Sequence, residues 1–383
     1  MNFDRLKDFL DYYLPMLGVP GSDTVIYKDH EEIFRHRSGF DNLKYRTPVR
    51  SDAVYNIYSC TKIATAVAAL QLIERGEILI NDPIHVYFTQ YKNIQVARKG
   101  ADGKVQLEKA RNPMLIRHLF SMTSGLDYNI KRPAIDRVRL QSGGSCPTLD
   151  IIRALAEDPL VCDPGEKYVY GLSHDVLGGL VELVSGMKLG DYMKKNIFDP
   201  LGMKDTTFDI THGNYERIAC QYEYDSIGRC AIEVPKDSNV MRFGSEYQSG
   251  GAGLLSTVDD FILLTDALAN GGVGKNGVRI LSGASVELLR APALNETQLE
   301  TFELSHNIGY DYCLGVRSMR DPAKAGSLMP KGAFGWDGKK MTLSVSDPEN
   351  RIAIFHAECI DGMNSIIIPR LMNVIYSCLD EEK

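Results

Sequence analysis

The 383-residue sequence lacks several features that mark particular protein classes. It has no apolar run near the roughly 18 residues that cross a membrane, so we expect no membrane-spanning segment. A net charge of −7 offers no basic face for nucleic acid, so we expect no nucleic-acid partner. The eight histidines are scattered along the chain and form no pair with the spacing of a metal-binding motif. The sequence therefore predicts neither a metal site nor a cofactor.

The eight cysteines form no C-x-x-C pair, which argues against a zinc or redox motif. Residues 1–18 mix charged and apolar positions and lack the basic and apolar regions of a signal peptide. We therefore expect an amphipathic first helix, a cytoplasmic protein, and cysteines that are reduced and mostly buried. The composition is that of an ordinary globular chain and leaves the oligomeric state open.

The pattern of apolar residues predicts an α+β fold. Both ends of the chain contain helices and strands, including a hairpin soon after the first helix, whereas the middle contains short helical patterns separated by polar loops. The charged stretch 92–109 is expected to project as a loop. We predict an antiparallel sheet domain, flanked by N- and C-terminal helices, and a mostly helical cap domain. The predicted domain bounds are 1–83 with 241–383 for the sheet, and 84–240 for the cap.

Ser59-Cys60-Thr61-Lys62 begins the most informative helical pattern. The apolar residues that follow recur at helical spacing, so we expect an amphipathic helix on which Ser59 and Lys62 lie one turn apart on the same face. A serine needs a base to become a nucleophile, and a lysine can be that base when burial disfavours its charged form. On this tetrapeptide alone, an N-cap serine followed by a solvated lysine is the simpler explanation.

Two later stretches carry further candidate residues. Residues 164–179 read as a turn, a tyrosine-rich loop and a helix start, in which Tyr170 is placed to relay a proton and His174 to act as an acid or base. Without further context the simpler explanations are a loop tyrosine packed on the domain surface and a histidine that caps or packs at the helix start. Residues 332–340 hold the only tryptophan among small residues, and a backbone N–H there could form an oxyanion hole with that of Ser59. A glycine-rich hairpin with a core tryptophan is the alternative.

Together these stretches resemble the serine β-lactamase-like superfamily, in particular its class C and carboxylesterase (family VIII) branch. The resemblance extends over roughly residues 20–360 with its motifs in the family's order, which makes it far more specific than any one motif. The segments that carry it are SCTK at 59–62 with the helix after it, IRHLFSMTSGL at 116–126, PGEKYVYGLSHDVLGG at 164–179, SGGAGLLSTVDD at 249–260 and FGWDG at 334–338.

The resemblance implies roles for individual residues. Ser59 would be acylated, Lys62 would be the base or its partner, and Tyr170 would relay a proton. The oxyanion hole would consist of the backbone N–H groups of Ser59 and Lys339. Candidate substrate-binding residues are Trp336, Asp337, Gly338, Tyr128 and His174.

This sequence also departs from the family pattern. Tyr170 is followed by Gly171-Leu172, so the asparagine of the Y-x-N motif is missing, and Trp336-Asp337-Gly338 stands where the family has K-T-G or H-x-G. The cation that would pair with a β-lactam carboxylate is thereby replaced by an indole, unless Lys339 or Lys340 restores a positive charge.

These departures favour a serine hydrolase that acts through an acyl-enzyme, most simply a carboxylesterase on small-molecule ester or amide substrates. The alternatives are a β-lactamase or D-peptidase, an acyltransferase by the same chemistry, and a catalytically silent binding protein.

Overall fold

The computed structural model describes residues 1–100, 102–211, 215–305 and 307–379. The α-helices are α1 (Asp4–Asp8), α2 (Leu14–Met16), α3 (Thr61–Glu74), α4 (Ile116–Phe120), α5 (Pro133–Gln141), α6 (Thr148–Leu155), α7 (Ser173–Ser185), α8 (Leu189–Met193), α9 (Asp199–Leu201), α10 (Val258–Ala269), α11 (Gly283–Arg290), α12 (Glu296–Glu303), α13 (Pro322–Ala325) and α14 (Asn364–Leu379). Short 3-10 turns lie at Tyr58–Cys60, Ile84–Val86, Thr89–Asn93 and Tyr215–Arg217, and π-helical turns at Phe9–Tyr13 and Lys194–Phe198.

The strands are β1 (Gly21–Lys28), β2 (Glu31–Asn42), β3 (Thr47–Pro48), β4 (Tyr55–Asn56), β5 (Gln95–Lys99), β6 (Val105–Lys109), β7 (Gln221–Asp225), β8 (Cys230–Val234), β9 (Leu255–Ser256), β10 (Tyr310–Tyr312), β11 (Arg317–Met319), β12 (Phe334–Gly338), β13 (Thr342–Asp347), β14 (Ile352–Ala357) and β15 (Ile360–Asp361). Eight of them form one sheet in the order β10-β11-β12-β13-β14-β1-β2-β3. All neighbours in this sheet are antiparallel.

Both ends of the chain build the large sheet, because β1 pairs with β14. Apolar side chains of the N-terminal helix and α14, such as Leu10 and Leu371, form one core with Ile354 of the sheet. A second, larger core lies on the other face and includes α3, α7 and α10. The predicted α+β fold, with an antiparallel sheet flanked by the terminal helices, is therefore confirmed.

Helix α3 differs from its prediction in one respect. Every residue from Thr61 to Leu72 is buried, so the helix is enclosed on all sides rather than amphipathic. Small residues dominate its sequence, and a helix that is apolar all round is typical of a protein interior. The first residues of the predicted helix instead form the 3-10 turn Tyr58–Cys60.

The middle of the chain contains more strand than the sequence pattern indicated. The segment 92–109 was expected to be a loop, but β5 and β6 pair within it as a hairpin; its residue 101 lies outside the described residues. Strand β7 pairs with β15, so part of the predicted cap is joined to the C-terminal segment by backbone hydrogen bonds. The division into two domains stays a prediction.

Three further observations concern expected features. Five of the eight cysteines are buried, as expected. Across the described residues, no helix combines the length and the apolar character that a bilayer crossing requires. The same residues contain no cluster of three or more His, Cys, Asp or Glu side chains arranged to hold a metal ion.

Candidate active site

Ser59 lies on a strained turn between β4 and α3. Tyr58, the residue before it, has a φ of 43°, which is unusual for a residue with a side chain and clusters at functional sites. Its hydroxyl donates to Gln221 Oε1 at 2.6 Å and to the Ser238 carbonyl at 2.9 Å, so the turn is anchored in the segment 221–238. The turn places Ser59 in the wall of a cavity of about 770 Å³.

Lys62 is completely buried beside this serine. Its Nζ donates to Ser59 Oγ at 3.0 Å, to Tyr128 Oη at 2.9 Å and to the Gly251 carbonyl at 2.7 Å. An ammonium has three N–H donors and no acceptor, so these three oxygens satisfy it completely. The same arrangement keeps Nζ in contact with the hydroxyl that it would assist.

Tyr170 completes the group from the loop that precedes α7. Its Oη donates to Ser59 Oγ at 2.8 Å and accepts a hydrogen bond from Trp336 Nε1 at 2.9 Å. Lys62 Nζ lies 4.7 Å from the centre of the Tyr170 ring. The structure therefore brings together Ser59, Lys62 and Tyr170, as the sequence predicted, and adds Trp336 as a donor to the phenol.

Tyr128 has a second contact that the sequence did not indicate. It lines the cavity, as expected of a substrate-binding residue, and it also accepts a hydrogen bond from Lys62. Its ring meets that of Tyr170 edge to face, with 5.2 Å between the centroids. Burial, followed by the nearby Tyr170, raises the pKa of Tyr128 well above its usual value. Tyr128 is therefore a neutral phenol that holds the lysine.

His174 is not among the residues that line the cavity, so the structure lends no support to its prediction as a substrate-binding residue. The ring is fully buried at the start of α7, and Nε2 lies 3.2 Å from the Phe120 carbonyl oxygen. Burial, followed by the charge of Lys62, lowers the pKa of His174 to about 3. Gly315 packs so closely that a Cβ there would lie 2.4 Å from the ring. His174 is a core residue.

Sequence reasoning also missed the group that supports the Gly251 carbonyl. Asp175 is fully buried, and its Oδ1 accepts hydrogen bonds from Ser249 Oγ at 2.6 Å and Tyr247 Oη at 2.8 Å. Its other oxygen is so close to Gly251 that a Cβ there would lie 2.6 Å away. Asp175 therefore fixes the glycine-rich segment whose carbonyl receives the lysine. The SGGAG run was the signal available in the sequence.

At Gly338, strand β12 packs closely against the turn that carries Ser59. A Cβ at Gly338 would lie 2.2 Å from Thr342 Oγ1 and 2.3 Å from the Ile57 carbonyl, so only glycine permits this approach. Gly338 itself is not among the residues that line the cavity, although its neighbours Asp337 and Lys339 are, so its role as a substrate-binding residue stays a prediction. Its effect is to bring the following residue, Lys339, to the cavity. The N–H groups of Ser59 and Lys339 stay the predicted oxyanion hole.

The two lysines after the W-D-G segment do not supply a free cation. Lys339 lines the cavity, but its ammonium lies 3.2 Å from Asp361 Oδ2. Lys340 is buried and donates to the Tyr222 carbonyl at 2.8 Å.

Cys60 is not a competing nucleophile, although it adjoins Ser59. Its side chain is completely buried, and burial raises the pKa of the Cys60 thiol to about 12. The reactive species of a cysteine is the thiolate, which is negligible here at neutral pH.

Comparison with known proteins agrees with this arrangement. A protein-family model described as Beta-lactamase matches residues 6–356. The chain belongs to the Beta-lactamase family. The resemblance seen in the sequence is thereby confirmed.

Relatives of this Beta-lactamase family protein include enzymes of two kinds. Esterase EstB of Burkholderia gladioli is 28% identical over 354 residues, which are 87% of this chain and 84% of the esterase. Monacolin J acid methylbutanoyltransferase of Aspergillus terreus is 29% identical over 264 residues, 68% of this chain and 62% of the transferase. The solved structure of EstCE1, a hydrolase with promiscuous acyltransferase activity, is 23% identical, covers 97% of both chains and has a TM-score of 0.79, which shows the shared fold.

In this family member the W-D-G segment has a neighbour that the sequence did not reveal. Arg317 on β11 lies with its guanidinium 5.1 Å from the centre of the Trp336 ring and forms an ion pair of 2.5 Å with Asp337. Arg317 is paired in register with Gly335 across β11 and β12. The connection between the two strands, residues 320–333, has no motif that fixes their register, so the sequence did not place this cation beside the tryptophan.

Proposed function

We propose that this protein is a serine esterase that acts through an acyl-enzyme on neutral small-molecule esters. The observation that carries the proposal is the hydrogen-bonded group of Ser59, Lys62 and Tyr170 in the wall of a large cavity. A nucleophile within hydrogen-bond distance of a base, with the base held by further groups, is the arrangement that nucleophilic catalysis needs.

The proposed reaction has two halves. The reactive form of the Lys62–Tyr170 pair carries one proton fewer than an ammonium beside a neutral phenol, so that one of the two groups can accept a proton. Ser59 Oγ attacks the ester carbonyl carbon while its proton passes to this pair, and the resulting oxyanion accepts hydrogen bonds from the N–H groups of Ser59 and Lys339. Tyr170 returns the proton to the leaving alcohol oxygen as the carbon–oxygen bond breaks. Water then attacks the acyl-serine, with its proton taken by the same pair, which releases the acid and restores Ser59.

Two features support an ester rather than a β-lactam as substrate. The loop after Tyr170 carries no asparagine amide for an acylamino group. The arginine nearest to Trp336 is already paired with Asp337, so it offers a β-lactam carboxylate no unshared positive charge.

Acyl transfer to an alcohol is the second candidate function. A cavity of about 770 Å³ is within the range that holds drug-sized ligands and leaves space for an acceptor beside a small acyl group. The similarity to a methylbutanoyltransferase favours the same possibility. An alcohol would then replace water in the second half of the reaction, with no change in the residues used.

Intact-mass measurement after exposure to a fluorophosphonate and to p-nitrophenyl butyrate tests the proposal. We expect one adduct on the wild-type chain, no adduct on Ser59→Ala, and loss of at least about 1,000-fold in ester turnover in that variant. Ser327→Ala is the matched control, because Ser327 also lines the cavity but lies outside the Ser59–Lys62–Tyr170 group. Added alcohols then distinguish hydrolysis from transfer by the product formed.

A labelled Ser59→Ala chain would show that another residue is the nucleophile. A folded wild-type chain with neither adduct nor turnover would favour the binding-protein alternative.

A further inference from the structure

The charged residues among those that line the cavity are Arg317, Asp337 and Lys339. Lys339 is paired with Asp361 and has a half-exposed side chain, so its charge is largely screened by solvent. Arg317 and Asp337 differ from it, because their side chains are only 14% and 17% exposed. The electrostatic character of the cavity therefore depends mainly on this one pair.

The pair is held in a fixed geometry. Arg317 lies over the rings of Trp336 and Tyr310, at 5.1 and 5.4 Å from their centres. Asp337 binds Arg317 through Oδ1 and accepts a hydrogen bond from Asn364 Nδ2 through Oδ2 at 2.7 Å. Both carboxylate oxygens are occupied, so Asp337 is positioned to neutralise the arginine rather than to bind a ligand.

The arginine keeps its charge in this position. Burial by itself lowers the pKa of Arg317, but the charge and hydrogen bond of Asp337, together with the nearby Tyr310 and Tyr168, raise the pKa above its usual value. A buried guanidinium attracts carboxylates strongly, because it offers paired donors in a region of low dielectric. Without Asp337, the cavity would contain an unshared cation one aromatic ring away from Tyr170.

We infer that Asp337 is a specificity-determining residue, which neutralises Arg317 and thereby keeps esters with a carboxylate in their acyl part out of the cavity. Removal of the Asp337 charge would leave Arg317 as a binding site for such acyl groups. The inference rests on the proposed function for its kinetic test. It adds to that function the residue that makes the cavity select neutral acyl groups.

The test compares two substrates that differ only in one charge. Mono-p-nitrophenyl glutarate carries a free carboxylate, and methyl p-nitrophenyl glutarate is its neutral counterpart of the same chain length. We expect Asp337→Asn to raise the ratio of kcat/KM for the anionic over the neutral ester by about tenfold, and added salt to reduce this gain. Asp337→Ser gives the same comparison with a shorter side chain, should the asparagine amide disturb Asn364.

Two controls separate this effect from general changes in charge. Asp259 forms an ion pair with Arg35 and does not line the cavity. Asp259→Asn therefore removes the same charge elsewhere, and it should leave the ratio of kcat/KM values unchanged. Arg317→Met added to Asp337→Asn should abolish the gain. An unchanged ratio in folded Asp337→Asn and Asp337→Ser, or an equal gain in Asp259→Asn, would overturn the inference.

Binding provides a measurement that does not depend on turnover. Calorimetric titration with glutaryl p-nitroanilide and its methyl ester should give the same shift of about tenfold in the ratio of Kd values in Asp337→Asn. A wild-type chain that turns over neither ester would contradict the proposed function. The ratio of Kd values would then decide the inference alone, and an unchanged ratio would refute it.

Discussion

Replacement of Trp336 by phenylalanine isolates one hydrogen bond at the candidate site. The indole Nε1 donates to Tyr170 Oη at 2.9 Å, and phenylalanine removes this donor while it keeps an aromatic ring in place. The ring contacts with Tyr312 and Arg317, both at 5.1 Å, can therefore persist in part. The substitution tests whether the donor supports charge on the phenol oxygen as the proton moves.

The expected loss follows from the strength of such a bond. A hydrogen bond to an oxygen that becomes charged contributes about 2 kcal/mol, which corresponds to a fall of about 30-fold in kcat. KM should change by less than about threefold, because a contact made mainly in the transition state affects kcat rather than substrate binding. Steady-state hydrolysis of p-nitrophenyl butyrate over a range of concentrations measures both constants.

Tyr312→Phe is the matched control for this experiment. Tyr312 packs against Trp336 at an interplanar angle of 90°, yet its buried hydroxyl has no hydrogen-bond partner among the described residues. Its removal should leave kcat within about twofold of the wild-type value. If Trp336→Phe keeps the wild-type kcat, or if Tyr312→Phe loses as much, the indole N–H has no role in proton transfer and our assignment of it is wrong.

Two other predictions concern the hydrogen bond between Tyr128 and Lys62 and the effect of buried histidines on stability. Tyr128→Phe leaves one Lys62 N–H without an acceptor, so we expect kcat/KM for p-nitrophenyl butyrate to fall by about tenfold, and unaltered kinetics would contradict the role given to Tyr128. His118 and His174 should each contribute a loss of stability in acid, because burial lowers the pKa of His118 to about 4 and that of His174 to about 3. The unfolded chain binds these protons below about pH 6.5, so the stability present above that pH is lost progressively as the pH falls toward 4. Between pH 8 and pH 5, the free energy of unfolding measured in urea should fall by about 2 kcal/mol less in His118→Asn than in the wild type. An equal fall in both proteins would refute this account.

The proximity of Ser59 and Lys62 could be predicted because its signal is local. Ser59 and Lys62 share one helical turn, and a spacing of three residues fixes their proximity whatever surrounds the helix. Tyr170 and Trp336 were found through motifs rather than through periodicity. The contacts between these segments depend on how the sheet and the helices pack, and no spacing along the chain encodes that packing.

The features that the sequence did not predict concern burial and register. His174 begins a helix in the sequence, but only the packing of that helix shows that its ring faces the core. Arg317 meets Asp337 because β11 pairs with β12, and this register is set by the whole sheet. Helix α3 is surrounded by other elements, so its few polar residues, such as Thr65, are buried with hydrogen bonds instead of facing solvent.

The single tryptophan has a practical consequence. Because Trp336 is the only indole in the chain and donates to Tyr170 beside Ser59, all tryptophan emission of the protein arises next to the candidate nucleophile. Acylation of Ser59, entry of a ligand or a change in the charge of Arg317 would each alter the surroundings of that one fluorophore. The protein therefore carries its own optical reporter, and stopped-flow fluorescence can follow events in the cavity without a label and without a background from other tryptophans.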